Sequence, residues 1–173
     1  MGTISIFRRS KEQDFDTLIE ENKMKFYKTA KTILKNDADV YDAIQEALIS
    51  IYQNYDKLEN KNYFTTWGIR IVINKCYDLI RKNKKDEKTL YLDDEKNSIE
   101  IPYDDKNSVE KFELEELMSH LEDELKLITT LYYYDDLTIK EIAKILDKPE
   151  GTIKFKLSKI RADLRAMIER GVQ

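Results

Sequence analysis

Residues that build metal, redox and hydrolytic centres are almost absent from this chain. Its 173 residues include one cysteine, Cys76, and one histidine, His120. A single cysteine excludes an intramolecular disulfide and a cysteine-based zinc cluster, and a single histidine leaves no choice of base for a Ser-His-Asp arrangement. The sequence also has no phosphate-binding glycine loop. We therefore expect no catalytic residues, no metal site, no cofactor and no small-molecule substrate.

Glycine, proline and long apolar runs are scarce as well. Four glycines and two prolines stand against 37% charged residues, a balance typical of helices with solvated outer faces and not of sheets punctuated by turns. No apolar run approaches the ~20 residues that a membrane-spanning helix needs, and the N-terminal residues have no apolar signal-peptide core. The sequence thus predicts an all-α, cytoplasmic protein.

Charge is strongly segregated along the chain, although the net charge is −4. Residues 37–60 carry six acidic residues and one lysine, whereas residues 61–85 carry seven basic residues and one aspartate. Residues 86–116 are acidic again, and residues 144–170 hold eight basic residues against four acidic ones. Two basic segments separated by an acidic one indicate two nucleic-acid-binding modules joined by an acidic connector. Ordinary solvated helix surface is the simpler alternative.

Apolar spacing predicts three helices in the N-terminal half. The first runs from Asp14 to about Lys35, and the third runs from about Thr65 to Lys84 with Cys76 on its inner face as a small core residue. The second helix has an apolar stripe at three- and four-residue steps, formed by Ile44, Ala47, Leu48, Ile51, Tyr52 and Tyr55. On its other side, a second stripe has the same spacing and consists of Asp39, Asp42, Glu46, Ile49 and Gln53.

The C-terminal segment predicts a helix-turn-helix. Thr138 is followed three residues later by Glu141, which is the spacing of a capping box at a helix start. A break at residues 147–149 separates this helix from a basic one that runs from Glu150 to about Arg170. Two amphipathic helices joined by a short turn, the second of them basic, are typical of a reader of double-stranded DNA.

The second helix of this unit has an outer face suited to a major groove. With its apolar residues inward, 100° per residue places small and uncharged side chains at the centre of that face, namely Gly151, Phe155, Ser158 and Ala162. Lys154 and Lys159 flank them and can reach base edges or phosphates. Further round lie three cations expected to contact phosphates, namely Lys148, Lys156 and Arg161. An ordinary amphipathic helix with solvated lysines is the alternative.

The third predicted helix also has an unusual outer face. Aromatic, basic and amide side chains alternate opposite its apolar stripe, at Tyr63, Trp67, Arg70, Asn74, Tyr77 and Arg81. Rings that stack on bases and cations that hold the backbone are typical of single-stranded nucleic-acid binding. For Trp67, burial against the first helix is the alternative. A double-strand reader and a single-strand reader in one chain indicate a protein that opens DNA.

Three motifs together resemble a known family. Residues 39–48 (DVYDAIQEAL) look like an acidic polymerase-binding helix, residues 64–74 (FTTWGIRIVIN) are similar to a promoter-melting segment, and residues 150–154 (EGTIK) are similar to the start of a −35 recognition helix. Over nearly its whole length, the chain resembles a bacterial extracytoplasmic-function (ECF) RNA polymerase sigma factor. This compact class keeps the second and fourth sigma domains.

The resemblance implies an organisation and a set of partners. It implies two small helical domains, sigma domain 2 in residues 1–86 and sigma domain 4 in residues 109–173, joined by a flexible acidic linker in residues 87–108. Core RNA polymerase is expected to bind through the clamp helices of its largest subunit. Promoter DNA is expected to be double-stranded at −35 and single-stranded at −10. A cognate anti-sigma factor, often membrane-anchored in this family, is expected to restrain the protein.

Site residues carry over from the matched motifs. The residues expected to contact core polymerase are Asp39, Asp42, Gln45, Glu46 and Leu48. The residues expected to contact the −10 element are Asn60, Lys61, Asn62, Tyr63, Phe64, Trp67, Arg70, Asn74, Tyr77, Arg81, Lys82 and Lys85, and the loop of residues 58–64 is expected to receive a flipped base. The residues expected to contact the −35 element are Lys148, Gly151, Thr152, Lys154, Phe155, Lys156, Ser158, Lys159 and Arg161.

Three departures from the family pattern and two rival functions accompany the resemblance. Lysine replaces arginine at several positions of the recognition helix, which weakens bidentate reading of guanine. Glu59 stands in the −10 loop, where relatives often carry arginine and glycine. Asp147 occupies a turn position where glycine is common, although aspartate tolerates the left-handed conformation. A conventional helix-turn-helix regulator with an N-terminal sensing or dimerisation domain explains the C-terminal unit but leaves the outer face of the third helix unexplained. A helical adaptor that binds protein alone leaves both basic faces unexplained.

Overall fold

The structure is a computed structural model that describes residues 2–87, 118 and 120–170. Its N-terminal part consists of α1 (Gly2–Ile33), α2 (Asp37–Asn54) and α3 (Phe64–Glu87), with short 3-10 helices between the last two at Tyr55–Lys57 and Lys61–Tyr63. Its C-terminal part consists of α4 (Asp123–Thr129), a π-helical turn (Thr130–Tyr134), α5 (Ile139–Ile145) and α6 (Glu150–Arg170). Every regular element in the described ranges is helical, which confirms the predicted all-α class. The predicted linker, residues 87–108, lies outside these ranges except for Glu87.

The three N-terminal helices enclose one apolar core. Phe26 of α1, Ile51 of α2 and Ile69 of α3 are at most 1% exposed, and each lies on the apolar stripe of its helix. Asn36 starts α2 with an N-cap in which its side-chain oxygen accepts the Ala38 N–H at 2.8 Å. Burial of these large apolar side chains is the main source of stability of this part of the chain.

Gly68 sets how near α3 lies to α1. A Cβ atom at this position would stand 2.5 Å from Cζ of Phe26, well inside the ~3.5 Å of an ordinary carbon contact. The missing side chain therefore lets α3 pack directly on the Phe26 ring. This packing fixes which side of α3 faces solvent.

Two expectations for these helices are wrong. Tyr52 was expected in the buried apolar stripe of α2 but is 64% exposed, because it lies at the edge of that stripe. Its ring contacts the Phe15 ring edge-on, with centroids 5.4 Å apart. The first helix was expected to begin near Asp14 but begins at Gly2. Apolar periodicity cannot locate such a start, since a formed helix extends at low cost into polar residues.

The helix-turn-helix forms as predicted. Thr138 Oγ1 accepts the Glu141 N–H at 3.3 Å, and Glu141 Oε2 accepts the Thr138 N–H at 2.8 Å, so the capping box is reciprocal. Asp147 adopts φ 52°, in the left-handed region. The Lys148 N–H then reaches the Ala143 carbonyl at 2.9 Å and closes the end of α5.

The predicted inner face of α6 is confirmed over the residues whose burial is described. Ile153, Leu157 and Ile160 are at most 1% exposed, and Leu164 is half-buried against the same core. The side chain of Ile168, also expected on this face, lies outside the described residues. None of the helices in the described ranges is long and apolar enough to cross a lipid bilayer.

The two parts of the chain pack against each other, which was not predicted from the sequence. Helix α1 contacts α4 and the π-helical turn, and α3 contacts α5. At this junction Asp135 is 1% exposed, and its Oδ2 accepts a hydrogen bond from Thr29 Oγ1 at 3.1 Å. The junction therefore contains buried polar groups in addition to apolar ones.

Candidate DNA- and polymerase-binding surfaces

The outer face of α6 is open to solvent. Phe155 is 71% exposed, and Ser158 and Ala162 beside it are exposed as well. No atom lies within 4 Å of a Cβ placed on Gly151. The face expected in the major groove is thus an uncharged strip with a protruding ring, of a shape that can approach base edges.

Cations on one flank of this strip have no ion pair within the described residues. Lys154 and Arg161 are exposed there. Thr152, which was also expected at the −35 element, is half-buried near the start of α6. The two cations are therefore available to an external anion.

Three lysines on the other flank form ion pairs with glutamates, and these pairs were not predicted. Glu124 lies 2.8 Å from Lys148 Nζ through Oε1 and 2.6 Å from Lys156 Nζ through Oε2. Glu122 lies 3.9 Å from Lys159 Nζ through Oε1. Hydrogen bonds from Lys148 and Lys156 lower the pKa of the Glu124 carboxyl. These glutamates precede the lysines by more than twenty residues, and no local sequence pattern indicates such pairs.

The outer face of α3 is also open, as expected. Tyr63 is 58% exposed and Tyr77 is 43% exposed, and Arg70 and Asn74 between them are exposed. Arg81 is exposed and pairs with Asp78 on its own helix. Rings, an amide and cations therefore share one solvent-facing side of α3.

Two aromatic residues of the predicted −10 set are not fully available. Phe64 is 1% exposed and lies in an aromatic cluster with Tyr55, at a centroid separation of 6.0 Å. This geometry contradicts a base contact by the Phe64 ring, which belongs to the core. Trp67 is half-buried, with its ring centroid 6.1 Å from that of Phe64, so part of the indole remains on the surface.

The polar loop before α3 is exposed but has internal contacts. Asn60 Oδ1 accepts the Asn62 N–H at 2.9 Å and caps the second 3-10 helix. Lys61 Nζ lies 2.9 Å from Asp14 Oδ2 of α1. The side chain of Lys85, also predicted for −10 binding, lies outside the described residues.

The acidic side of α2 forms one wall of a groove with α3. Asp42 and Gln45 are exposed, and Glu46 lies 3.6 Å from Lys75 Nζ on the opposite wall. The groove has a volume of about 550 Å³, and Lys82, predicted for −10 binding, is exposed on its α3 side. Carboxylates and cations line it together, which suits a partner with both signs of charge.

Two residues of the predicted polymerase set are less accessible. Asp39 is half-buried and accepts a hydrogen bond from Asn83 Nδ2 at 3.3 Å. Leu48 is half-buried against the apolar core. Ile49, a member of the predicted polar stripe, is 53% exposed and lines the same groove as Asp42 and Glu46. It was not predicted as a polymerase contact. An apolar residue among acidic ones on an outer face is the sequence feature that could have indicated it.

Cys76 is fully buried, as predicted for a core residue. Burial raises the pKa of its thiol to about 12. The thiol is therefore protonated at neutral pH and has little reactivity as a nucleophile.

Two family models match the chain. The Sigma-70 region 2 model matches residues 18–86, and the Sigma-70, region 4 model matches residues 111–164. The ECF RNA polymerase sigma factor SigW of Bacillus subtilis is 30% identical, over 93% of this chain and 92% of its own length. The chain belongs to the ECF sigma factors. The sigma factor SigV of the same species is also 30% identical to it, over 82% of each protein.

Solved structures of similar fold extend over both parts of this ECF sigma factor. The sigma factor RpoE of Bartonella quintana, in complex with the anti-sigma factor NepR, has a TM-score of 0.74 at 18% identity and covers 91% of this chain and 98% of its own. CnrH in complex with the cytosolic domain of CnrY has a TM-score of 0.63 at 17% identity, over 92% of this chain and 90% of its own.

Family membership settles the general function. As an ECF sigma factor, the chain directs RNA polymerase to promoters, so core polymerase and promoter DNA are its partners. Sigma factors are transcription initiation factors and not enzymes. The regulator and adaptor alternatives are set aside, because neither explains a match that includes sigma region 2.

Proposed function

We propose that this sigma factor uses three separate surfaces, each on a different helix. The outer face of α6 reads the −35 element as duplex, the outer face of α3 opens and reads the −10 element as a single strand, and the acidic side of α2 binds core polymerase. The observation that carries the proposal is that each face is exposed directly opposite a buried apolar stripe. The boundaries are those inferred from the sequence: domain 2 in residues 1–86, a linker in 87–108 and domain 4 in 109–173.

At the −35 element, α6 enters the major groove with Gly151, Phe155 and Ser158 towards the bases. Phe155 contacts a thymine methyl, and Lys154 reaches a base edge or a phosphate. Arg161 contacts the backbone. The lysines held by Glu122 and Glu124 contribute phosphate contacts at the edge of the interface, which position the helix without specifying sequence.

At the −10 element, Tyr63, Trp67 and Tyr77 stack on unpaired bases, and Arg70 holds the backbone. Asn74 donates to and accepts from an exposed base edge. This amide can pair with a base once the duplex has opened, so its contribution stabilises the open state and not the closed one. Extrusion of a base costs a few kcal/mol, which the stacking must offset.

At core polymerase, Asp42, Gln45 and Glu46 contact the clamp helices of the largest subunit. Ile49 adds an apolar contact in the middle of this charged surface. Charge pairing of this kind depends on salt and permits later release of the sigma factor. A cognate anti-sigma factor, anchored in the membrane, covers these surfaces in the cytoplasm until a signal arrives.

Charge reversal on α2 tests the polymerase surface. We expect Asp42→Lys to weaken binding to core polymerase at least tenfold, because it places a cation where the proposed contact needs a carboxylate. Glu21→Lys is the matched control, since it makes the same charge change at an exposed position of α1. Both variants should keep wild-type helicity, because surface substitutions usually alter stability by less than about 0.5 kcal/mol.

The measurement is a titration of labelled sigma factor with core polymerase at two salt concentrations. Equal affinities for wild type, Asp42→Lys and Glu21→Lys would remove α2 from the polymerase interface. A loss that is the same for both variants would indicate a dependence on net charge and not on this surface.

A further inference from the structure

A single carboxylate holds two cations of the proposed −35 surface. Glu124 Oε1 lies 2.8 Å from Lys148 Nζ, and Glu124 Oε2 lies 2.6 Å from Lys156 Nζ. One of these lysines precedes α6 in the turn, and the other lies on α6 itself. Each oxygen of the carboxylate is therefore committed to a different cation of the DNA-reading unit.

The fold of the C-terminal part brings these three side chains together. Helix α4 packs against α6, and Leu125, the residue after Glu124, is 2% exposed. Burial of this neighbour fixes the backbone from which the Glu124 side chain extends. The backbone of Lys148 is fixed as well, because its N–H donates to the Ala143 carbonyl at 2.9 Å.

Water has limited access to this cluster. Glu124 Oε1 is buried, and the side chains of Lys156 and Lys148 are 21% and 38% exposed. Hydrogen bonds from both lysines lower the pKa of the Glu124 carboxyl, and the contact with Glu124 raises the pKa of the Lys148 ammonium. Partly buried ion pairs are screened by salt less than exposed ones. All three groups are thus charged at neutral pH and remain paired at moderate salt.

Glu124 offers a lysine the same kind of contact that a DNA phosphate offers. Carboxylates and phosphates both accept charge-assisted hydrogen bonds from an ammonium group. A phosphate that binds Lys148 therefore replaces one such bond with another, and it leaves a carboxylate close to the DNA backbone. Because like charges at short range repel, a lysine paired with Glu124 contributes less to DNA binding than an unpaired one.

The other cations of this surface are held less firmly. Lys154 and Arg161 are exposed and have no ion pair within the described residues. Lys159 Nζ lies 3.9 Å from Glu122 Oε1, on a glutamate whose side chain is 75% exposed. The two short ion pairs of Glu124 are therefore the main internal neutralisation of the surface.

We propose that Glu124 sets the duplex affinity of the −35 surface, because it occupies Lys148 and Lys156 in place of a DNA phosphate. The chain alone then binds duplex DNA weakly, and core polymerase must supply the rest of the attachment to a promoter. Glu124 is in this sense a positioning residue that acts on DNA through the two lysines. The inference rests on the proposed function of α6 as the duplex-binding helix.

Glu124→Gln tests the proposal, since it removes the charge and keeps the size of the side chain. Asp123→Asn is the matched control, because it makes the same charge change at the preceding residue, whose side chain is 86% exposed. The measurement is the fluorescence anisotropy of a labelled DNA duplex of mixed sequence, titrated with the full chain at several salt concentrations. A mixed sequence is suitable because phosphate contacts carry no sequence information.

We expect Glu124→Gln to bind the duplex more tightly than wild type. One added phosphate contact steepens the dependence of log affinity on log salt by about 0.9, which amounts to a gain of up to about eightfold between roughly 1 M and 0.1 M salt. Asp123→Asn should bind like wild type. A gain in affinity separates this role from a structural one, because a damaged fold weakens binding. Equal or weaker binding by Glu124→Gln would overturn the proposal, and so would an equal gain in Asp123→Asn.

Lys148→Gln, alone and combined with Glu124→Gln, identifies the cation that is released. Lys148 is more exposed than Lys156, so we expect it to provide most of the gain. Lys148→Gln should therefore weaken duplex binding about threefold more in the Glu124→Gln background than in the wild type, as expected for coupled residues. Equal losses in the two backgrounds would overturn the competition between Glu124 and DNA.

Lys154→Ala distinguishes failure of this inference from failure of the proposed function. Because Lys154 has no ion pair in the described part of the chain, its removal should weaken duplex binding in every background. Unchanged binding by Lys154→Ala would mean that α6 is not the duplex-binding helix, and both the proposed function and the inference would fail. A loss with Lys154→Ala, together with no gain with Glu124→Gln, would overturn the inference alone.

Discussion

Asp135→Asn replaces the buried carboxylate at the junction with a neutral side chain of the same shape. Burial raises the pKa of Asp135 from 3.8 to about 6, although the Thr29 hydrogen bond and the nearby Lys25 and Lys28 ammonium groups oppose the rise. Asp136, the adjacent acid, adds to the rise. In the wild type, ionisation of this carboxyl therefore lowers the free energy of unfolding, because the charged group is buried away from water.

The sign and size of the pH dependence follow from these values. The folded protein holds the proton more tightly than the unfolded chain, so the contribution of Asp135 to stability is greatest below about pH 4 and is lost as the pH rises through about 6. Each unit of pKa difference corresponds to about 1.36 kcal/mol. Between about pH 5 and pH 7.5, the wild type should thus lose about 1.4 kcal/mol of unfolding free energy through this group.

Urea unfolding followed by circular dichroism gives the unfolding free energy of each protein at pH 5 and at pH 7.5. The effect is the change between these pH values in the difference between variant and wild type. Asp135→Asn should be more stable than wild type at pH 7.5, and its advantage should be about 1.4 kcal/mol larger there than at pH 5. Asp16→Asn is the control, because it makes the same chemical change at an exposed position of α1. The contributions of the titrating groups that are not substituted cancel, since the compared proteins share them.

Two results would refute the reasoning. The first is an Asp135→Asn protein whose pH dependence between 5 and 7.5 parallels that of the wild type. The second is a loss of stability at pH 7.5, which would mean that the ionised carboxylate stabilises the junction through its contacts with Lys25 and Lys28 by more than its burial costs.

Three further predictions concern packing and DNA contacts. Gly68→Ala should lower the unfolding free energy by about 1–2 kcal/mol in urea titrations, because the new Cβ lies 2.5 Å from Phe26 Cζ and overpacking outweighs the gain in helix propensity. Adding Phe26→Leu to this variant should recover part of the lost stability. A Gly68→Ala protein as stable as wild type would contradict this. Phe155→Ala should reduce binding of the polymerase complex to its own −35 sequence by about 1–3 kcal/mol and leave binding to a scrambled sequence unchanged, whereas an equal loss on both sequences would contradict a base contact. Asn74→Ala should block the permanganate reactivity of −10 thymines on a duplex promoter. Transcription by this variant should recover partly on a template whose −10 region is already melted. Wild-type permanganate reactivity on the duplex would make Asn74 a structural residue.

Local patterns in the sequence predicted the parts of the fold that are decided locally. The capping box at Thr138, the left-handed turn at Asp147 and the burial of Cys76 each depend on residues within one or two helical turns. The outer face of α6 followed from helical periodicity for the same reason, since one buried stripe determines which residues point to solvent.

Contacts between distant segments were not predictable in this way. Phe64 looks like part of the DNA-reading motif, but the aromatic cluster around Tyr55 takes it into the core. The pairing of Glu124 with Lys148 depends on how α4 packs on α6, and the burial of Asp135 depends on the docking of α4 and the π-helical turn on α1. Periodicity reports that a residue is on a face, but it does not report what covers that face.

Run-off transcription with purified core polymerase on a library of fragments from the source genome tests the central claim most directly. The account predicts discrete new transcripts that require both core polymerase and this chain, and whose templates share one upstream and one downstream element. It predicts no transcripts from the chain alone and weak binding of the chain alone to the same fragments. Tight binding to duplex fragments without polymerase, together with no new transcripts when core polymerase is present, would contradict the account.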